Sequence, residues 1–169
     1  MKLLFTIMML FSLSYADSYE ADLTAEEAYE MQKEGKAIIV DVRTTLEFLY
    51  TGHGEGFINI PSHFWTYDPK SIETRVKSAE YEIQNSKVKD HPSSMKLYNA
   101  KEVINKNFVS EVMKAMKIRG ADSVILVCRS GPRSKFAANM LSKEGITAYN
   151  LEDGFIFGWK EEKMPWGGE

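Results

Sequence analysis

The sequence predicts an α/β domain built on a largely parallel sheet, and three observations lead there. Two continuous apolar runs, Ala37 to Val40 and Val124 to Val127, are too short for helices and lack polar alternation, as strands buried on both faces do. Segments with helical spacing lie between the strands, the order expected of βαβ units. The 169 residues contain no internal repeat and no low-complexity tract, so one domain with an insertion is expected.

Residues 1–16 read as a secretory signal peptide. Met1 and Lys2 form a short basic start. Residues 3–13 are apolar apart from Thr6 and Ser12, and Ser14 and Ala16 place small residues at the −3 and −1 positions of a cleavage site. The apolar run reaches roughly 17 Å as a helix, short of a ~30 Å bilayer core. No cysteine follows it, so no lipid anchor is indicated. The expectation is export to the periplasm, with no stable membrane anchor after cleavage and a domain over 17–169.

Thr24 with Glu27 forms a capping box that opens a helix to about Glu34, with Gly35 as its stop. The 37–40 strand ends at Asp41. Residues 44–50 predict a short helix closed by Gly52, and 57–60 a short strand stopped by Pro61. Residues 62–106 differ in texture: polar, mixed in charge, with Pro69 and Pro92. Ile72, Val76, Ala79 and Ile83 recur at helical spacing and predict a helix over about 70–84, followed by a loop over 86–100. The aromatic group His63, Phe64, Trp65 and Tyr67 is expected to pack in the core or within this insertion, the alternative being the site entrance or a partner surface. Phe108, Val109, Val112, Met113 and Met116 mark the next helix, ended by Gly120. The 124–127 strand, a helix over 133–143, a strand over 147–150 and a last helix over 155–161 complete the chain.

The composition is 44% apolar and 27% charged, with a formal charge of −3. A strongly basic nucleic-acid binder is therefore not expected. A single cysteine excludes an intrachain disulfide and a multi-cysteine metal site. His53, His63 and His91 have no ligand spacing, so a zinc site is not expected.

The lone thiol sits where chemistry is expected. Cys128 directly follows a buried strand, and a helix begins a few residues later. Ligands in open α/β sheets bind at the carboxyl ends of strands. The helix start offers unpaired N–H groups and a dipole that favour an anion. Arg129 and Arg133 add positive charge, which favours the nucleophilic thiolate. Gly131 lets the loop curl so that N–H groups converge. Pro132 suits the first helical position but removes one donor. Ser130 lies within the loop, and Ser134 is placed either to cap the helix or to hydrogen-bond a bound anion.

The run Cys128, Arg129, Ser130, Gly131, Pro132, Arg133, Ser134 resembles the active-site loop of rhodanese-like sulfurtransferases. A second block agrees: Asp41, Val42, Arg43, Glu47, Phe48, Gly52, His53 and Gly56, then Asn59, Ile60 and Pro61. A third comprises Tyr149, Asn150, Leu151, Asp153, Gly154 and Phe155, with Trp159, Pro165 and Trp166. The blocks stand in the family's order and cover roughly 18–61 and 107–166. The resemblance implies a five-stranded parallel sheet flanked by helices on both faces. It also implies a persulfide on Cys128, formed from a small anionic sulfur donor such as thiosulfate or polysulfide and passed to cyanide, a thiol or a protein acceptor. Asp41 and Arg43 are expected as supporting residues and, with Glu47, as a structural ion-pair cluster. Arg133 is expected to stabilise the added sulfur, and Arg129 to attract the donor. His53 is expected to pack and hydrogen-bond rather than act as a base.

Four residues separate Cys128 from Arg133, where related phosphatase and arsenate reductase loops have five, so a sulfur atom suits the loop better than a tetrahedral oxyanion. The chain departs from the family pattern at Gly54, where isoleucine is favoured, at Phe57, where alanine is favoured, and at Pro132. The long segment 62–106 keeps open an alternative, a non-catalytic sulfur-binding or partner-docking module with that segment as its working surface.

Overall fold

In the computed structural model, which describes residues 18–84 and 97–168, five strands form one all-parallel sheet. The elements run β1 (Asp22–Leu23), α1 (Ala25–Lys33), β2 (Ala37–Asp41), α2 (Thr45–Thr51), β3 (His53–Gly54), β4 (Ile58–Asn59), β5 (His63–Pro69), α3 (Ile72–Gln84), β6 (Tyr98–Ile104), α4 (Phe108–Arg119), β7 (Ser123–Val127), α5 (Pro132–Lys143), β8 (Ala148–Leu151), a π-helix (Gly154–Trp159) and β9 (Trp166–Gly167). The expected signal peptide, and part of the expected 86–100 loop, lie outside the described residues.

The sheet order is β1-β8-β7-β2-β4. β2 and β7 are central and pair from Ala37↔Ser123 to Asp41↔Val127. Every residue of both strands is buried, as their unbroken apolar runs require. Successive side chains alternate between two cores. Ile38, Val40, Val124 and Leu126 pack with Phe108 and Val112 of α4 and with Ala137, Ala138 and Leu141 of α5. Ala37, Ile39, Ile125 and Val127 pack on the other face with Ala25 and Ala28 of α1 and with Phe155 and Trp159 of the π-helix. Helices therefore cover both faces.

The capping box at Thr24 forms as expected, with Glu27 N–H donating to Thr24 Oγ1. A second box opens α2: Thr44 Oγ1 accepts from Glu47 N–H, and Glu47 Oε2 accepts from Thr44 N–H. α2 has no buried residue and lies at the end of the sheet.

Three expectations are corrected. The segment 62–106 holds more than the expected helix, and residues 98–100, expected as loop, are strand. β5 and β6 form an antiparallel ribbon pairing His63↔Ile104 to Pro69↔Tyr98, with α3 between them in sequence. The ribbon is nearly all exposed, so its aromatic side chains do not pack into a core. On α3, Ile72, Val76 and Ala79 face solvent, although the helix forms where their spacing predicts it. Finally, the last helix is a π-helix entered through Asp153 in the left-handed region. Trp159 is fully buried there and donates from Nε1 to Pro165 O at 2.8 Å.

Gly54 and Phe57 explain each other. A Cβ at Gly54 would collide with the Phe57 ring. The ring is buried and packs edge-on against Trp159, with centroids 4.6 Å apart. The two departures amount to one exchange of volume, with the bulk moved from one position to the other.

Candidate functional site

The sheet order reverses direction between β2 and β7, and the site lies at their carboxyl ends. Asp41 ends β2, and Cys128 follows β7. Val42 N–H donates to Val127 O at 2.9 Å, which carries the pairing to the edge of the site.

Cys128 is buried at 1% exposure, its Sγ facing the start of α5. Gly131 N–H donates to Sγ at 3.2 Å, and Ser134 Oγ lies 3.3 Å from it. The Ser134 hydroxyl also lies 2.8 Å from Gly131 O. A hydroxyl has one proton, so Ser134 is shared between a carbonyl and a sulfur. Gly131 has φ +105°, a conformation L side chains rarely adopt, and this turns its N–H toward the sulfur. Pro132 occupies the first position of α5, as expected. Arg129 and Ser130 are exposed.

The back of the loop is built by a residue the sequence reading did not single out for a role. A Cβ at Gly154 would lie 2.6 Å from Cys128 O, 2.6 Å from Ser130 N and 2.7 Å from Arg129 C. Only glycine allows this approach of two backbones. Phe155 N–H then donates to Cys128 O at 2.8 Å, and Ile156 N–H to Arg129 O at 3.1 Å. The π-helix thus supports the loop from behind.

The expected cluster of Asp41, Arg43 and Glu47 is divided in the structure. Asp41 and Arg43 are paired and buried: Nε reaches both carboxylate oxygens at 2.9 Å, and Nη2 reaches Oδ2 at 2.6 Å. Arg43 also donates to Thr51 Oγ1 and Gly52 O, each at 2.8 Å, and its guanidinium stacks 4.5 Å from the Phe155 ring centroid. It therefore fastens the end of α2 and the support of the Cys128 loop to one point. Burial raises the Asp41 pKa against the opposing pull of Arg43.

Glu47 instead pairs with Arg133. Nη1 donates to Oε2 at 2.8 Å and Nη2 to Oε1 at 2.7 Å, a bidentate contact. One edge of the Arg133 guanidinium is thus engaged by a carboxylate. Partial burial works against the charged form of Glu47. The Arg133 hydrogen bonds and charge, with the Thr44 N–H, outweigh it and bring its pKa to about 2. The T-x-x-E spacing at Thr44 and Glu47, the same pattern as at Thr24 and Glu27, signals the capping box of α2 but not the partner across the site.

His53 stacks on Phe48 with centroids 3.8 Å apart, and its Nδ1 lies 3.3 Å from Phe48 O, as a packing residue would. Beside the start of α2 a cleft of about 170 Å³ is lined by Thr44, Thr45, Leu46, Phe64, Trp65 and Tyr67, none of them charged. Among the described residues, no group of three or more His, Cys, Asp or Glu is placed to hold a metal ion.

Comparison with known proteins accords with this geometry. A family model described as "Rhodanese-like domain" matches residues 24–162. A curated relative, "Uncharacterized protein RP600" of Rickettsia prowazekii, is 35% identical over 69 residues, which are 37% of this chain and 56% of the relative. The chain thus spans about half the length of that relative. The crystal structure of Rv0390 from M. tuberculosis superposes with a TM-score of 0.58 at 24% identity, covering 90% of this chain and all of that one. A thiosulfate sulfurtransferase from Pseudomonas aeruginosa gives 0.52 at 17% identity, covering 89% of this chain and 20% of that one. At these identities, the solved structures show a shared fold.

Proposed function

Because the chain belongs to the rhodanese-like domain family, a family related to sulfur transfer, we propose that it is a sulfurtransferase carrying a sulfane sulfur on Cys128. The observation that carries this reading is the pair of donors at the sulfur, Gly131 N–H and the Ser134 hydroxyl, at the head of α5.

The Cys128 thiolate attacks the outer sulfur of thiosulfate. A bond forms from Sγ to that sulfur, its bond to the sulfonate sulfur breaks, and sulfite leaves with the electron pair. Cys128 is left as a persulfide anion. Gly131 N–H, with the Arg133 and Ser134 N–H groups in the first turn of α5, stabilises the negative charge as it moves outward. Ser134 turns its single proton from Gly131 O toward sulfur as the charge appears. Cyanide, a thiol or a protein acceptor then attacks the terminal sulfur, and the thiolate returns. Exposed Arg129 draws the anionic donor to the loop. No metal or organic cofactor enters this scheme.

The test is sulfur transfer from thiosulfate, and separately from polysulfide, to cyanide, with the protein and its Cys128→Ser variant. Turnover that depends on Cys128, with a mass gain of about 32 Da on that residue, supports the reading. Full transfer by Cys128→Ser would overturn it.

A second reading, a non-catalytic docking module, is favoured by the uncharged cleft and the exposed aromatic residues of β5. Absence of both turnover and a Cys128 persulfide would select it. The proposal includes export to the periplasm, supported by the basic, apolar and small-residue order of residues 1–16. N-terminal sequencing of the protein from separated cell fractions tests this, and a retained Met1 in the cytosolic fraction would refute it.

A further inference from the structure

The two hydrogen bonds between Arg133 and Glu47, at 2.8 and 2.7 Å, commit one edge of the guanidinium to a single carboxylate. The pair is close to neutral as a unit. Arg133 also lies within electrostatic reach of Cys128 and Asp41. Its charge would otherwise be the fixed cation nearest the loop's interior, since Arg129 is exposed. Within the described residues, Arg129 forms no ion pair. The loop sequence therefore reads as dicationic, while the folded loop presents one uncompensated arginine at its mouth.

We propose that Glu47 is a specificity-determining residue for the sulfur donor: by cancelling Arg133 it shifts preference from a dianion such as thiosulfate toward a donor of low charge, an organic persulfide. This rests on the sulfur-transfer reading above. With the neutral form of a persulfide, the Cys128 thiolate attacks the outer sulfur. The Sγ–S bond forms, the donor's S–S bond breaks, and the organic thiolate leaves with the electron pair. The proton stays on the transferred sulfur. Charge balances with one negative charge on each side, whereas the thiosulfate reaction brings a dianion beside an existing thiolate. That repulsion is what an unpaired Arg133 would relieve. One unit of charge at this range changes a rate on the order of tenfold in a partly solvated site.

Glu47→Gln is a suitable probe. Glutamine at the third helical position still closes a capping box with Thr44, so α2 keeps its start. The amide oxygen still accepts one bond from Arg133, but the negative charge is gone. The experiment measures, by intact-protein mass, the second-order rate at which Cys128 gains sulfur from thiosulfate and from cysteine persulfide. The expected result is a rise of about tenfold in the thiosulfate-to-persulfide rate ratio, with the thiosulfate rate itself rising. Glu47→Asp, which keeps the charge, is expected to leave the ratio within about twofold of the original protein.

An unchanged ratio in Glu47→Gln would overturn the proposal. So would an equal shift in Glu47→Asp, because the effect would then follow shape rather than charge. If the unmodified protein gains sulfur from neither donor, the sulfur-transfer reading itself fails and this proposal fails with it. If it gains sulfur from both and only the ratio fails to respond, the donor proposal alone is lost. Should Glu47→Gln not fold, Arg133→Gln supplies the converse: it leaves the Glu47 charge uncompensated, so the thiosulfate-to-persulfide ratio should fall by about tenfold, and an unchanged ratio would refute the cancellation.

Discussion

Arg43 and Arg133 each meet a carboxylate through several hydrogen bonds, but in different surroundings. Arg43 is 1% exposed and holds Asp41, two residues before it. The side chain of Arg133 is 30% exposed and reaches Glu47, 86 residues away in sequence. The first pair also fastens Thr51, Gly52 and the Phe155 ring. The second touches the first turns of two helices and lies within electrostatic reach of Cys128. Burial makes the first pair a structural fixture, because neither charge has water to fall back on. Partial exposure leaves the second adjustable, since either partner can still be solvated if the other is lost.

The largest expected effect tests the buried side of this contrast. Arg43→Ala leaves the buried Asp41 carboxylate with the residue-43 backbone N–H but no counter-charge, and should cost about 3–5 kcal/mol in chemical denaturation. A loss under about 1 kcal/mol would mean that water replaces the guanidinium and that the two pairs do not differ in kind.

Next in size is the packing just beyond Gly52, which Arg43 holds. Gly54→Ala pushes a Cβ into the Phe57 ring and should cost about 1–3 kcal/mol. In a Phe57→Leu background the same change should cost less than about 1 kcal/mol. Equal costs in the two backgrounds would show that the positions are not coupled.

The exposed pair is sharpened by pH. Glu47 has its pKa lowered from 4.5 to about 2. A group with a depressed folded pKa stabilises the fold above its unfolded pKa. That contribution is lost as pH falls from about 4.5 through about 2. Partial exposure reduces it to about 1–2 kcal/mol. Glu47→Gln should remove this part of the acid destabilisation, so that its stability and that of the unmodified protein converge near pH 2. Parallel curves from pH 6 downward would contradict the assignment.

The smallest effect belongs to the ribbon. Trp65 is 40% exposed, and Trp65→Ala should change stability by no more than about 0.5 kcal/mol. Retained sulfur transfer to cyanide with loss of transfer to a protein acceptor would assign the cleft to the acceptor.

The sheet was legible because β2 and β7 each carry an unbroken run of four apolar residues, 37–40 and 124–127, and are bounded by recognisable helix starts. The Cys128 loop was legible because its residues are contiguous. β5 and β6 were not, because both faces of the ribbon meet solvent and no burial imposes alternation on the sequence. β1, β3 and β9 are two residues each, too short to carry a period, whereas β4, equally short, lies within the strand expected over 57–60. The α3 stripe of Ile72, Val76 and Ala79 gave the helix but misled about burial, since spacing reports a face and not what covers it. Glu47 was grouped with its sequence neighbours Asp41 and Arg43, because no local pattern records a partner 86 residues away.

Gly154 sets a direction for the chemistry. With two backbones already in contact behind Cys128, the loop has no room to recoil when its side chain lengthens. A sulfur atom added to Sγ must extend forward, toward the head of α5, by about 2 Å. In the proposed reaction the buried thiol is the fixed root of a short arm, and the atom handed to an acceptor is the one at the arm's tip. An acceptor need not enter the protein as far as Cys128 itself.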